Sequence, residues 1–514
     1  MNLQQYNSLC SACDRLLSSA DSTVCRVATP WLHVIKPHNE FLKYYKDVFE
    51  EKNRKHKLFT IYKEIRQILG HIYSLTKSLI NQRDVFHSSA DLLRGTDLMI
   101  VSHLIDEKLI GDDVDFYYGN LPNEIAKEKI KIVIVLINYT NISASEVARR
   151  WKKSAVTRII LDTHVRTKVT AKIIASMLCE SLTLRRKVKL ATSELEKRII
   201  KMASVEVFSS GTRWALKTAA QLAEVVKNIS PSKIMITHEG HSWERVAFSA
   251  VRDINPKIFC IGYQHSTIAY LQHALKRDLL PKYNPDFVYT SGATGANLLK
   301  RYHQKKTQFL AVLGSPRPIV SRQLILNDSS IVSAQKQFCC LVLPEGIIDE
   351  CNVLFEFSMK CALQNPSVQF IWRLHPNMSY DEVVRQNPKF KNLPTNIYIS
   401  NRTFEEDIKK SQISLYRGST AIIGAVMSGI FPIYLNQPEE ISIDTLWELD
   451  SNFRCVSTTY EFKNILKSMM LKNKSNQTLS VIRRAQALCQ ALLLPMDSVQ
   501  LVKRLKHDDK IATK

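Results

Sequence analysis

Residues 131–138, KIVIVLIN, decide the fold class of this chain. The apolar residues at 132–137, most of them β-branched, are typical of a strand buried on both faces of a parallel sheet. Similar runs recur at 98–105, 157–163, 233–239, 257–266 and 286–292. Amphipathic stretches, including 143–153 and 193–229, separate these runs. The alternation predicts a parallel sheet covered by helices, which is the Rossmann-like form of an α/β domain.

The same alternation restarts in the second half of the chain. Apolar runs stand at 338–346, 368–376, 396–403, 412–418 and 430–435. The polar stretch before them, at 321–333, is interpreted as an interdomain linker. We therefore predict an α/β protein with two Rossmann-like domains facing a cleft, at 96–320 and 334–475. Residues 1–95 are predicted to form a helical N-terminal extension, and 476–514 a helical C-terminal tail.

Apolar residues between Leu58 and Leu79 recur at the i, i+3, i+4 and i+7 spacing of one helix face. This stripe predicts a helix within the N-terminal extension. Its apolar face would pack on the next domain, lie on a membrane, or meet a partner helix.

The chain of 514 residues carries a formal net charge of +23. This charge favours anionic partners, and because the basic residues are scattered we expect peripheral contact with the anionic inner membrane leaflet. No nucleic-acid-binding motif accompanies the charge, so no nucleic-acid partner is predicted. The start lacks a secretory signal pattern, the apolar runs are shorter than a membrane span, and the eleven cysteines are interpreted as reduced thiols. These features predict a cytoplasmic protein.

The strongest candidate site follows the apolar run at 368–376. Arg373 and His375 are two residues apart, so a strand continuing through them would turn both to one side, and Pro376 would end the ladder. A guanidinium and an imidazole at a strand's carboxyl end suit a phosphate or diphosphate. The pair could instead bond loop carbonyls.

Two further motifs stand at strand ends of the second unit. Arg417, Gly418, Ser419 and Thr420 lie where a strand turns into a helix, so a hydroxyl there could cap the helix or bind a phosphate at its start. Glu345–Gly346 follows the first strand of the unit. Its carboxylate could bind a sugar or ribose hydroxyl, act as a base, or form a turn.

The first unit places Glu239 and His241 after one strand and His265 after the next. Imidazoles and a carboxylate at neighbouring strand ends could supply a general base for an acceptor hydroxyl, bind the acceptor, or have structural roles. The spacing is not a metal-ligand signature, so no metal is predicted.

The motif RLHP (373–376), followed by RGST (417–420) and the run GIFPIY (429–434), resembles the donor domain of bacterial capsule and lipopolysaccharide glycosyltransferases. The group includes polysialyltransferases and Kdo transferases and has the GT-B fold. The stretch 102–122 is also similar to a set of surface-carbohydrate biosynthesis proteins. The resemblance covers residues from about 97 to 470.

This resemblance implies that His375, Ser419 and Thr420 contact the phosphates of the nucleotide. The acidic-Gly element of polysialyltransferases, which lies in the acceptor-side domain there, has a possible match at Glu345–Gly346. Many related transferases have a Glu after the Ser/Thr motif where this chain has Gly424 and Ala425. That difference favours a CMP-linked sugar over a UDP- or GDP-linked sugar.

From these observations we predict a glycosyltransferase that moves a sugar from a nucleotide-activated, CMP-linked donor to a surface glycan or lipid-linked acceptor. No cofactor is expected beyond the nucleotide-sugar substrate. The alternatives within the same fold are a CDP-glycerol-type glycerophosphotransferase and a nucleotide-sugar epimerase. A non-catalytic glycan- or membrane-associated scaffold is the alternative from another class.

Overall fold

The computed structural model describes residues 1–50, 66–67, 69–73, 75–77, 79, 93–151, 155–303, 309–316, 337–470 and 476–507. The predicted linker at 321–333 and half of the predicted helix at 58–79 lie outside the described residues. In the first 50 residues, short helices alternate with turns: α1 Leu3–Leu17, α2 Val24–Val27, α3 Asn39–Leu42 and α4 Lys46–Phe49. Their apolar side chains share one core with the first sheet.

The first sheet has seven parallel strands in the order β3-β2-β1-β4-β5-β6-β7. Its strands are β1 Leu98–Leu104, β2 Ile132–Asn138, β3 Thr157–Leu161, β4 Lys233–Thr237, β5 Phe259–Gln264, β6 Phe287–Thr290 and β7 Leu310–Val312. In the centre, Leu98 pairs with Ile132 of β2 and Lys233 of β4. Every residue of β1 is buried, because helices cover both faces of the sheet.

The helices of the first domain lie between these strands in the sequence. They are α5 Leu121–Lys127, α6 Ala144–Arg150, α7 Thr167–Lys187, α8 Glu194–Glu206, α9 Ser210–Ile229, α10 Ser242–Ile254, α11 His273–Lys276 and α12 Ala293–Tyr302. The predicted helical tract at 193–229 is two helices. The first ends at Glu206, and Ser209 begins the second, because its hydroxyl accepts a hydrogen bond from the amide of Thr212, as an N-cap does.

The second sheet has six parallel strands in the order β10-β9-β8-β11-β12-β13. Its strands are β8 Phe338–Leu343, β9 Val368–Trp372, β10 Ile397–Ile399, β11 Ile413–Tyr416, β12 Phe431–Leu435 and β13 Cys455–Val456. Its helices are α13 Ile348–Gln364, α14 Tyr380–Gln386, α15 Phe404–Lys410, α16 Ala421–Met427 and α17 Thr459–Met470. The predicted α/β fold with two Rossmann-like sheets, a GT-B-like arrangement, is confirmed. The sequence patterns missed only the short strands β7 and β13 among the described strands.

The end of the chain joins the two domains. Helix α18 (Asn476–Leu492) buries Ala485 and Cys489 in the core of the second domain. Helix α19 (Ser498–His507) buries Leu501 and Leu505 in the core of the first. Within the described part of the chain, no helix is long and apolar enough to cross a membrane.

The carboxyl ends of the two sheets meet through two loops. Thr445, beyond β12, donates its hydroxyl to the carbonyl of Gly418 at the end of β11, over 3.0 Å. Trp447 donates its indole N–H to the carbonyl of Ile268, beyond β5, over 3.1 Å. The strand ends that carry the predicted site residues of both domains therefore face the same interdomain region.

Candidate functional site

Three neighbouring strand ends of the second sheet contact one another through two glycines. A Cβ atom at Gly418, after β11, would overlap the carboxylate of Glu345, after β8. A Cβ atom at Gly346 would lie 2.8 Å from Nδ1 of His375, after β9. Because glycine has no side chain, the carboxylate of Glu345 and the imidazole of His375 can pack onto these two loops. Glu345, Gly346, His375 and Gly418, all predicted from the sequence, are brought together.

An imidazole from the N-terminal segment completes this group. His38 Nδ1 accepts a hydrogen bond from the amide of Glu40, so Nε2 carries the proton that His38 donates to Glu345 over 3.0 Å. His38 is buried, and Glu345 is 12% exposed. Burial raises the pKa of Glu345, but the hydrogen bond from His38 and the positive charges of Lys36 and Arg417 outweigh this effect and hold the pKa below its usual value. The sequence patterns did not point to His38.

The two predicted phosphate-binding arginines are each paired with carboxylates. Strand β9 ends at Trp372, so Arg373 and His375 lie beyond the strand and the expected period-two arrangement does not apply. Arg373 contacts Asp407 over 2.8 Å, whereas His375 packs against Gly346. Arg417 is buried between Glu350 and Glu440, with N–O distances of 2.6 Å to each. These carboxylates offset the charge that both arginines would present to a ligand.

The remaining predicted residues of this group lie around the same strand ends. Ser419 is buried, and Pro376 and Thr420 are exposed. The expected hydroxyl cap of α16 is wrong for Thr420, which occupies the N-cap position without a side-chain cap hydrogen bond. Its φ of −74° and ψ of −13° are helical, and a capping side chain needs an extended backbone to reach the amides of the first turn. The Thr420 hydroxyl is therefore available to a ligand.

In the first sheet, Glu239 organises the loop after β5. Its carboxylate accepts hydrogen bonds from the amide of Ser266 and the side-chain amide of Gln272, each over 3.1 Å. Nδ1 of His265 lies 3.3 Å from the same carboxylate. Glu239 is buried, whereas His265 is 25% exposed. The carboxylate thus lies beside an imidazole that solvent can reach.

His265 faces a cavity of about 510 Å³ at the carboxyl end of the first sheet. All three predicted catalytic residues line it. Its other lining side chains are His103, Ile105, Tyr117, Tyr139, Trp214, Thr237, Trp243 and Glu244. His265 packs edge-on against Tyr117, with ring centroids 4.7 Å apart. The lining of the cavity therefore combines polar and aromatic side chains, as many carbohydrate and cofactor sites do.

Two polar residues of this cavity were not singled out from the sequence. Glu244 accepts hydrogen bonds from the amides of Glu239, Gly240 and His241, and so holds the loop after β4. The acidic residue three positions after His241, at the start of a helix, is the signal of a capping box. His103 is the last but one residue of β1, and burial lowers its pKa to about 4. It is neutral at pH 7.

The described residues contain no group of three or more His, Cys, Asp or Glu side chains placed to hold a metal ion. His238, which immediately precedes Glu239 in the sequence, is buried and packs against Gly262.

No protein-family model matches the sequence, and no curated protein matches it. Among solved structures, the chain is similar to a trehalose 6-phosphate synthase from Burkholderia multivorans (10% identity, TM-score 0.45, 82% of this chain and 100% of the other). It is also similar to a UDP-GlcNAc 2-epimerase from Neisseria meningitidis bound to UDP-GlcNAc (12% identity, TM-score 0.42, 80% of this chain and 99% of the other). A glycosyltransferase from Rickettsia africae gives 12% identity and a TM-score of 0.42 over 81% and 98% of the two chains. Identities and TM-scores this low assign no activity to this chain.

Proposed function

We propose that this protein is a glycosyltransferase that binds a nucleotide sugar at the second sheet and an acceptor at the first. One observation supports the proposal most. Neighbouring strands of the second sheet end in Glu345, His375 and Gly418, which pack together, and this group faces the same region as Glu239 and His265. We therefore place the donor site at this group and the candidate base at His265, on the two sides of the contact that Thr445 makes with Gly418 and Trp447 makes with Ile268.

In this proposal, His375 and the hydroxyls of Ser419 and Thr420 bind the phosphate of the nucleotide. Oε1 of Glu345, which is buried without a hydrogen-bond partner, accepts a hydrogen bond from a ribose or sugar hydroxyl. Arg373 and Arg417 keep the strand ends in place through their carboxylate partners. The finer assignment, a CMP-linked sugar, follows from the resemblance, because Gly424 and Ala425 stand where UDP- and GDP-dependent relatives have a Glu.

The chemical step uses the imidazole of the first domain. His265 takes the proton of an acceptor hydroxyl, the oxygen forms a bond to the anomeric carbon, and the nucleotide leaves with the bonding electron pair. His375 stabilises the charge that develops on the departing phosphate. Glu239 holds His265 in position and stabilises the imidazolium that forms. Closure of the cleft would exclude water and so limit hydrolysis of the nucleotide sugar.

Two matched imidazole substitutions test the proposal. His375→Ala is expected to weaken nucleotide binding by about tenfold or more, because it removes a hydrogen bond to a charged phosphate. His265→Ala is expected to leave nucleotide binding unchanged and to lower transfer by about 10²–10⁴-fold, the usual contribution of a general base. Binding of CMP, CDP and UDP is measured by calorimetry, and transfer by product analysis. Each variant is the control for the other, and circular dichroism checks that both fold.

Product analysis separates the proposal from its alternatives. Conversion of UDP-GlcNAc into its 2-epimer without an acceptor would assign an epimerase, and transfer of glycerol phosphate from CDP-glycerol would assign a glycerophosphotransferase. Wild-type transfer by His375→Ala would overturn the donor site. If no nucleotide binds the wild-type chain, the scaffold alternative replaces the enzyme.

The location of the reaction is part of the proposal. We place it on the cytoplasmic side of the inner membrane, with a surface glycan or a lipid-linked acceptor. The net charge of +23 supports attraction to an anionic leaflet. Co-sedimentation with vesicles containing phosphatidylglycerol, but not with vesicles of phosphatidylcholine alone, is the expected result. Equal sedimentation with both would contradict a charge-based attachment.

A further inference from the structure

A second cavity of about 560 Å³ lies beside the aromatic cavity, beyond the carboxyl ends of β2 and β3. Its lining residues include Lys77, Tyr139, His164, Arg213, Trp214 and Lys217. The volume is within the range of small-molecule sites.

The second cavity is lined by positively charged side chains. Lys77, Arg213 and Lys217 line it, and no Asp or Glu is among its described lining residues. Arg213 donates to the carbonyl of Gly70 over 2.9 Å, and Lys217 donates to the carbonyl of Thr163 over 3.0 Å. Carbonyl partners position these cations without cancelling their charge. The cavity therefore attracts an anionic group.

Aromatic rings join the second cavity to the candidate catalytic cavity. Tyr139 and Trp214 line both cavities, and their ring centroids are 5.8 Å apart. Trp214 in turn packs against Trp243 at 6.0 Å, which lines the cavity of His265. A ligand can therefore place an anionic group among the cations while its rings extend past Tyr139 and Trp214 towards His265. Flat aromatic faces beside polar groups suit sugar rings, whose C–H faces are apolar.

We propose that the second cavity binds an acidic saccharide, in which a carboxylate or phosphate group lies between Arg213 and Lys217 and a sugar ring packs on Trp214. This inference rests on the proposed function for its role, because it makes the acidic saccharide the acceptor whose hydroxyl reaches His265. Burial lowers the pKa of Lys217 to about 8, with Arg213 acting in the same direction and Asp162 opposing it. Lys217 thus remains mostly protonated at neutral pH.

Three probes that share one ring test the site: glucose, glucuronic acid and glucose 6-phosphate. Calorimetry or ligand-observed NMR with the full chain is expected to show both acidic sugars binding at least about tenfold more tightly than glucose. Inorganic phosphate is expected to bind more weakly than glucose 6-phosphate, because it lacks the ring. Equal affinity of glucose and its acidic derivatives, or of phosphate and glucose 6-phosphate, would overturn the assignment.

Substitutions within helix α9 locate the binding. Lys217→Gln combined with Arg213→Gln is expected to remove the preference for acidic sugars, whereas Lys217→Arg retains it. Lys227→Gln, an exposed lysine of the same helix outside the cavity, is the matched control and is expected to have no effect. Unchanged acidic-sugar affinity in the double variant would place the site elsewhere. If the double variant does not fold, two single variants replace it. Lys217→Gln is expected to reduce the preference for acidic sugars, and Trp214→Leu is expected to weaken binding of the sugar ring.

The outcomes separate this inference from the proposed function. CMP binding at the second sheet is measured in every variant and is expected to stay constant. Retained CMP binding without acidic-sugar binding would overturn the acidic saccharide site alone. Acidic-sugar binding without nucleotide binding would overturn the transferase assignment alone.

Discussion

His38 donates a hydrogen bond to Glu345 over 3.0 Å, although the two residues are 307 positions apart in the sequence. His38 belongs to the N-terminal segment and Glu345 to the second sheet. The neighbouring residue Ile35 accepts a hydrogen bond from the amide of Ala274 in the first domain over 3.4 Å. The N-terminal segment therefore contacts both domains at the cleft, and its imidazole contributes directly to the candidate nucleotide site.

Removing this imidazole should affect stability and nucleotide binding together. His38→Ala leaves the Glu345 carboxylate without its donor, so we expect a loss of about 1–3 kcal/mol in the free energy of unfolding and weaker nucleotide binding. His38→Gln, which keeps a side-chain N–H donor, should recover part of both. Urea unfolding and calorimetry measure the two effects. A fully stable His38→Ala protein with normal nucleotide affinity would show that the contact has no energetic role.

The His38–Glu345 pair also predicts that the free energy of unfolding depends on pH. The folded-state pKa of Glu345 lies below its usual value of 4.5. Its ionised form therefore contributes stability above about pH 4.5, and this contribution is lost as the pH falls through the lower folded-state pKa. The stability difference between the wild-type protein and His38→Ala should accordingly shrink on acidification. Urea unfolding at a series of pH values checks this, and a difference that grows towards low pH would contradict it.

Gly418 should not tolerate a side chain. In Gly418→Ala the new Cβ would overlap the Glu345 carboxylate, so Glu345 must move away from His38. We expect a destabilisation of about 1–3 kcal/mol, the usual cost of overpacking, and weaker nucleotide binding. Gly70→Ala is the control, since no atom of the described residues lies within 4 Å of a Cβ there. Calorimetric nucleotide titrations compare the two variants, and normal binding by Gly418→Ala would place the nucleotide away from this loop.

The buried Arg417 is expected to be structural. Arg417→Met leaves Glu350 and Glu440 without their shared cation, and breaking a buried ion pair costs about 3–5 kcal/mol. The exposed Arg402→Met should cost much less. Urea unfolding measures both. If Arg417→Met is as stable as wild type but binds nucleotide poorly, Arg417 contacts the ligand instead of supporting the strand ends.

The acidic saccharide site should depend on the charge of Lys217. Binding of glucuronic acid is expected to weaken as the pH rises through about 8, because Lys217 loses its proton there. The other groups facing Lys217 are Asp162 and Arg213, together with His164 across the cavity. Lys217→Arg keeps its charge and should remove this dependence. Calorimetry between about pH 6.5 and 9.5 provides the measurement, and a flat wild-type profile would exclude Lys217 from the site.

Local sequence patterns were sufficient to locate the strands and several site residues. The run 132–137 is apolar at every position because both faces of its strand are buried, and this signal needs no knowledge of distant residues. The same logic placed Glu239, His265, Glu345 and His375 at strand ends. It failed for the same-side arrangement of Arg373 and His375, because the exact last residue of a strand depends on the neighbours that continue the ladder.

The amino-acid sequence by itself determined the two parallel sheets, their order along the chain and the polar residues that follow their strands, because these depend on periodicities of a few residues. Only the tertiary structure decided which of those residues meet. It paired Arg417 with Glu350 and Glu440, placed His38 on Glu345, and set Tyr139 and Trp214 between two cavities. These contacts join residues from different helices, strands and loops, and the packing of those elements, which no local pattern encodes, fixes them.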